Sequence, residues 1–383
     1  MQRFLLKNHF NKGNAMKNKI LLLSMPLVAS SLLFAETGEE KGGLSSFSVS
    51  GAVEFEANAH YKQIDPRNET YNSQSDKIFH DYSSTFDLLF QVKFSDKWSA
   101  DAAISADNTE SAPGFAYDGA FVRYDASENL AFKVGDMTYS EGAFRYYDYD
   151  DPGDAAVGMA ERNIRGLELD FHGLTVGIGF GTDDDDEYTT YDAHVAYYLE
   201  LSGQTIRPYF NYKSYQTEDH NSMRTGVTAN LVFGDKVNVS AVYGLFSDFL
   251  GEDSPKMSHA FAVEPEVTLG KLTFKGTAFY AILDEEAPTA IDVPEYMFFY
   301  VEPVVSLCGS VALGLPAEYH TMTLDSDAEL GQIFVGPKAY VNPTETLYVE
   351  AYARAFFPVG DDYDSMDSDD PYFGAGATAG FTF

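Results

Sequence analysis

The sequence predicts an all-β fold, one antiparallel up-and-down β-barrel of about 16–18 strands, and three features of the chain predict it. Apolar residues recur at every second position through long stretches. The connections between those stretches alternate between tight turns and long acidic segments. The closing segment keeps the same alternation down to the terminal Phe383.

The N-terminal segment comes first. Residues 1–35 carry Arg3, Lys7, Lys12, Lys17 and Lys19 and no acid, and they end in an apolar run from Ile20 to Phe34. That run is short for a membrane span, and Ala35 stands where a peptidase would cut before Glu36, so residues 1–35 read as a secretory signal peptide. Met16 opens a better signal than Met1 does, and residues 36–45 then form a short spacer before a barrel over 46–383.

Charge and cysteine exclude several classes. The whole chain has net charge −34 from 25 basic and 59 acidic residues, and removing the five bases of the signal leaves about −39. Nucleic acid is excluded as a partner, because phosphate binding needs clustered Lys and Arg. Disordered acidic chains lack aromatics, whereas this one has 30 Phe and 26 Tyr. Cys308 is the only cysteine, so the chain is no disulfide scaffold, and none lies near Ala35 to take a lipid.

The strands follow in order. Phe47, Val49, Gly51, Val53, Phe55, Ala57, Ala59 and Tyr61 share one parity, opposed by Ser48, Ser50, Glu54, Glu56, Asn58 and His60. Period two over that length means a strand with one apolar face. Phe86 to Phe94, Trp98 to Ile104, Leu174 to Phe180 and Tyr191 to Leu199 repeat it. So do Val227 to Phe233, Val237 to Leu245, Phe261 to Leu269, Leu272 to Ile282 and Leu347 to Ala355. Residues 296–316, the nearest candidate for a membrane helix, contain Glu302, Pro303 and Pro316 and also alternate at period two.

Short turns are expected at 95–97, 125–129, 172–173, 202–203, 234–235, 270–271, 308–309 and 342–344. Longer segments rich in acids, Pro and Asn lie between them at 64–80, 108–114, 138–162, 183–187, 248–257, 284–294, 321–328 and 358–371. One rim is therefore tight and the other elaborated, as in transmembrane barrels with short periplasmic turns and long external loops. A charge on a lipid-facing strand position costs about 2–4 kcal/mol at mid-membrane, and the apolar faces from Val227 to Leu269 carry none. In lipid only helices and closed barrels satisfy every backbone group, so the expected fold is a transmembrane barrel.

Phe373, Ala375, Ala377, Ala379, Phe381 and Phe383 form one face of the last segment, against Gly374, Gly376, Thr378, Gly380 and Thr382. Here the chain resembles the Gram-negative outer-membrane porins, whose last strand ends in a Phe. The resemblance is architectural and covers nearly all of the chain after the signal. The Pro-Glu-Phe-Gly-Gly run of the enteric general porins is missing. It implies an outer-membrane location, Phe381 and Phe383 as the signal read by the barrel assembly machinery, and a homotrimer. It also implies that the long segment after the fifth strand folds into the lumen, with Arg145, Asp148, Asp150 and Asp151 at the constriction.

If the apolar parity faces lipid, the other parity lines a pore. Its acids include Glu54, Glu56, Asp87, Asp101, Glu168, Asp170, Asp192, Glu200, Glu264, Glu266, Glu302 and Glu350. Its bases include Lys93, Arg123, Lys133, Arg207, Lys213, Arg224, Lys275, Lys338 and Arg354. The excess of acid predicts a cation-preferring diffusion channel for small hydrophilic solutes, and opposed acids and bases predict a field across it. Aromatics on this parity, among them Tyr198, Tyr209, Phe279, Phe298, Tyr300, Phe334, Tyr348 and Tyr352, would suit a sugar-specific channel. The acid runs 183–187 and 361–370 suit external Ca²⁺ or other divalent ions bridging to lipopolysaccharide, without matching an EF-hand. No HExxH, G-x-S-x-G, Walker loop or CxxC appears, so no enzyme is expected. A barrel hydrolase would need a site around a residue such as His194, and a secreted soluble all-β protein would also alternate.

Overall fold

The computed structural model describes residues 45–61, 78–109, 112–139, 162–182, 189–215, 221–250, 257–282, 295–323, 329–359 and 371–383. They form an all-β, closed antiparallel barrel of eighteen strands. The strands are β1 Ser46–Tyr61, β2 Ile78–Lys93, β3 Trp98–Thr109, β4 Ala112–Ser127, β5 Leu130–Tyr139 and β6 Arg162–Phe171. Next come β7 Leu174–Thr182, β8 Thr189–Tyr197 continued by Leu199–Leu201, β9 Gln204–Ser214, β10 Asn221–Phe233, β11 Val237–Leu250 and β12 Ser258–Leu269. Then follow β13 Leu272–Ile282, β14 Glu295–Cys308, β15 Val311–Gly314 with Ala317–Thr323, β16 Glu329–Val335 with Lys338–Val341, β17 Leu347–Val359 and β18 Tyr372–Thr382. No helix long and apolar enough to cross a membrane occurs among the described residues.

Each strand pairs with the next, and β18 pairs with β1 from Ala52 opposite Thr382 to Tyr61 opposite Phe373. Closure leaves no edge strand, so every ladder group has a neighbour. All eight tight turns expected from the sequence join consecutive strands on one rim. His172-Gly173 and Ser202-Gly203 have positive φ at both positions, the hairpin turn whose twist matches that of its strands. The opposite rim holds one connection more than the sequence predicts, between Ser214 and Asn221.

Pro316 and Pro337 explain two of the interrupted strands, because proline has no N–H to give to a ladder. The register is the same on both sides of each break: Gly314 faces Val304 and Ala317 faces Val301, while Lys338 faces Tyr352 and Val335 faces Ala355. Inward parity therefore carries through. A bulge in β4 does change parity, since Ala120 faces Ala102 but Tyr117 faces Ile104.

Small residues of β18 make the closing seam. Tyr352 on β17 reaches across β18 and donates to Asn58 Oδ1 on β1 at 2.7 Å, and Tyr348 donates to Glu54 in the same way. A Cβ on Gly376 would come within 2.7 Å of the Tyr352 ring, so glycine there is what lets the phenol cross.

Outward positions are apolar and exposed, among them Phe55, Val134, Leu167, Ile178, Val301 and Phe373. An apolar surface of this extent marks contact with a membrane or a partner. Its one ion pair between strand interiors, among the described residues, joins Arg165 Nε to Asp136 Oδ1 at 2.6 Å. Tyr117, turned outward by the β4 bulge, donates to Asp136 Oδ2 at 2.7 Å.

Candidate functional site: the inner wall

Period-two geometry sends the polar half of every strand inward, where side chains from different strands meet. Each of Arg123, Lys133, Glu168, Asp192, Arg207, Glu264, Glu302, Glu350 and Arg354 lies on an inward position. Phe381 and Phe383 face outward and are exposed. Arg145, Asp148, Asp150 and Asp151, and the acid runs 183–187 and 361–370, lie outside the described residues. Among the described residues no group of three or more His, Cys, Asp or Glu could hold a metal ion.

The inner wall divides into sectors. Inward positions of β1–β3 carry Glu54, Glu56, Asp87 and Asp101, and Lys93 is the inward base of those strands, at the tight rim. Inward positions of β9 and β10 carry Arg207, Lys213 and Arg224 and no acid. From β2 to β10 is eight strands in an eighteen-strand ring, so acid and base walls stand nearly opposite one another.

Elsewhere on the wall the ion pairs are these. Lys133 Nζ lies 2.5 Å from Glu168 and 3.6 Å from Asp170, and Arg123 bridges Asp125 at 2.8 Å and Asp170 at 3.5 Å. Lys338 meets Glu350 at 2.6 Å, and Arg354 meets Glu318 at 3.6 Å. Fully buried Glu302 accepts from Tyr300 at 2.6 Å and from Tyr340, with Lys275 at 3.9 Å. A buried carboxylate is tolerated because donors replace its water.

The cations are also held on rings. Lys133 stands 5.3 Å from the Phe121 centroid, Arg224 5.4 Å from Phe246, and Arg354 4.6 Å from Tyr352. Lys275 and Lys338 share the Tyr340 ring at 5.1 and 4.9 Å. Each such contact is worth about 0.5–2 kcal/mol and fixes a flexible ammonium or guanidinium against the wall.

A third feature is an aromatic row on β13–β17. Phe279 stacks on Phe298 at 5.2 Å, Phe298 on His320 at 5.4 Å, His320 meets Phe334 at 4.8 Å, and Phe334 meets Phe356 at 4.4 Å. Phe279, Phe298 and Phe334 thus line up, as a sugar track would need. They are 1, 0 and 5% exposed, however, so their faces are spent on one another. Within the row His320 accepts or donates at Nδ1 with the Tyr296 hydroxyl at 2.5 Å and meets Glu318 through Nε2 at 3.3 Å. This Tyr–His–Glu chain has hydrolase-like ingredients, but all three residues are buried, and a nucleophile needs substrate access.

Glu318, His320, Tyr296, Tyr340 and Asn211 are wall residues beyond those expected from the sequence. Carrying inward parity across Pro316 and Pro337 is the signal that finds Glu318, His320 and Tyr340.

No protein-family model matches the sequence, and no curated protein matches it either. Solved structures do match. OmpT, an outer membrane protein of Vibrio cholerae in its trimer form, has TM-score 0.53 at 12% identity over 88% of this chain and 99% of that one. OpdL of Pseudomonas aeruginosa has TM-score 0.55 at 10% identity over 88% and 98%. OpdK of Pseudomonas aeruginosa with vanillate has TM-score 0.51 at 10% identity over 88% and 98%. The fold is that of an outer-membrane porin-type barrel. At such identities the likeness is one of fold, so what this barrel does has to be argued from its own wall.

Proposed function

We propose that the chain is an outer-membrane channel for passive diffusion of small hydrophilic solutes, with a preference for cations. The observation that carries this reading is the division of one closed barrel into an apolar outward face and an ionisable inward face. Lipid accepts the first and water the second, and a ring of eighteen strands is wide enough for an aqueous lumen. Cation preference rests on the excess of acid at inward positions, which on β1–β3 are Glu54, Glu56, Asp87 and Asp101 against the one base Lys93. Facing the base wall of β9–β10, this acid wall sets a transverse field that orients dipolar solutes.

In this reading residues 1–35 are removed on export, Phe381 and Phe383 address the assembly machinery, and the acidic loops meet lipopolysaccharide through divalent cations. The segment 138–162 narrows the lumen with Arg145, Asp148, Asp150 and Asp151, and the barrel works as a homotrimer. The chain performs no catalysis.

The test is single-channel recording of the refolded mature chain in a planar bilayer under a salt gradient. Discrete cation-selective steps are expected, and deletion of 141–160 should enlarge them. Insertion without conductance would overturn the channel, and failure to insert would favour a secreted soluble protein.

A further inference from the structure

Among the described strand residues one base points outward, Arg165 on β6. Its Nε donates to Asp136 Oδ1 at 2.6 Å and its Nη2 to Oδ2 at 3.3 Å, while Tyr117 donates to Oδ2 at 2.7 Å. A guanidinium has five N–H groups, so three are left on a side chain that is 75% exposed. A carboxylate accepts about four hydrogen bonds, and Asp136 has taken three of them.

Depth decides what can meet those groups. Arg165 stands six positions from Phe171, where β6 reaches the tight rim. At about 3.3 Å per residue and a tilt of about 40°, that is about 15 Å up an apolar band about 25 Å tall. Its outward neighbours Val134 and Leu167 are apolar and more than half exposed. A long basic side chain in lipid ordinarily reaches for the membrane surface, but Asp136 holds this one across the wall. Hydrocarbon offers no acceptor at that depth, so the acceptors come from protein.

The surface around the pair has two complementary halves. Toward β3 and β4 the outward residues are small, with Ala100, Ala102, Ala106 and Ala120 beside the acid. Toward β7 and β8 they form a ridge beside the base, with Ile178, Phe180 and Tyr191 each more than half exposed. A closed ring of like subunits needs such a surface, because one half meets the other half of the next copy. In a ring of eighteen strands β4 and β7 are about 60° apart, the angle between the two contacts of each member of a trimer. The charge pair lies midway between them and faces the axis.

We infer that the outward face of β4–β7 is where copies of this chain meet, with Arg165 of one copy bonded to Asp136 of the next. Three such pairs close into one ring of alternating charge. This rests on the homotrimer reading and adds the surface to it, and it holds whether or not the barrel conducts.

Light scattering and chemical linking of the mature chain in mild detergent test it. The unaltered chain should be a trimer. Asp136→Leu combined with Arg165→Leu, which strands no charge, should raise the trimer dissociation constant at least tenfold. In a Cys308→Ser background, Leu167→Cys, two positions from Arg165, should be joined between copies by a short bis-maleimide. Phe299→Cys on β14, across the barrel, should not. A trimer that the double variant leaves unchanged, or that links through Phe299→Cys and not through Leu167→Cys, keeps the homotrimer and overturns this surface. A monomeric unaltered chain overturns both, and lipopolysaccharide bound to that monomer but lost in Arg165→Leu would give the cluster to a lipid phosphate. Linking uses chains that keep both charges, so its outcome does not depend on whether the double variant folds.

Discussion

Neutralising the acid wall with Glu54→Gln, Glu56→Gln, Asp87→Asn and Asp101→Asn should remove most of the cation preference while leaving the barrel intact. From about 10 Å a unit charge acts on a monovalent ion with about 0.4 kcal/mol in water, and screening at 0.1 M salt reduces this to about 0.15 kcal/mol. Four carboxylates then contribute about 0.6 kcal/mol, which enriches a cation roughly threefold and depletes an anion roughly threefold. The ratio of cation to anion permeability should therefore fall about eightfold in the quadruple variant, read as a zero-current potential moving toward zero in 0.1 M salt. At 1 M the Debye length is about 3 Å, and wild type and variant should converge. A ratio that stays put on neutralisation, or a wild-type preference that survives high salt, would refute the assignment of selectivity to β1–β3. It would move the search to the loops.

Stability measurements probe the same wall, and Trp98, the only tryptophan, provides an intrinsic fluorescence signal for urea unfolding in lipid. Lys133→Met strands Glu168, whose side chain is 3% exposed against 20% for Lys133; with Arg123 still near Asp170, a loss of about 2–3 kcal/mol is expected. Adding Glu168→Gln should restore more than half of it, and a double-mutant coupling near zero would show that the pair contributes nothing to stability. Ala377→Lys, outward on β18, should cost about 2–4 kcal/mol if it sits near mid-bilayer, whereas inward Thr378→Lys, between Glu56 and Glu350, should be neutral or slightly stabilising. Equal costs at the two positions would argue against the assignment of faces. Gly376→Val should block the Tyr352 phenol from Asn58 and cost more than about 1 kcal/mol, an effect that Tyr352→Ala should largely relieve.

Parity makes the strands legible, because lipid outside and water inside impose opposite chemistries on successive residues. The tight turns are legible as well, since six of the eight contain glycine or proline and the other two, 95–97 and 125–129, are short, mostly polar runs between apolar sets. The connection at 216–220 is hidden for the matching reason: no glycine or proline stands between Pro208 and Gly226 to mark a break. Pro316 and Pro337 mislead in the other direction, because they interrupt a ladder without shifting it, and so hide Glu318, His320 and Tyr340 from a parity count.

Which wall residues meet is not legible at all. Strands in a barrel are staggered as well as tilted, so an inward side chain can reach past its ladder partner to strands farther round the ring. Tyr139 pairs with Arg162 along the backbone, yet its ring covers Gly177 two strands away and stacks on His194 three strands away. Tyr352 likewise finds Asn58, at the other end of the chain, through a gap left by Gly376. No spacing along the sequence encodes such contacts, because they depend on the sum of every register between the partners. A one-residue slip in any one ladder would turn a whole face of that strand outward and dissolve them. The apolar outward faces therefore do more than meet lipid. By holding each register against such a slip, they decide which acids and bases face one another across the lumen.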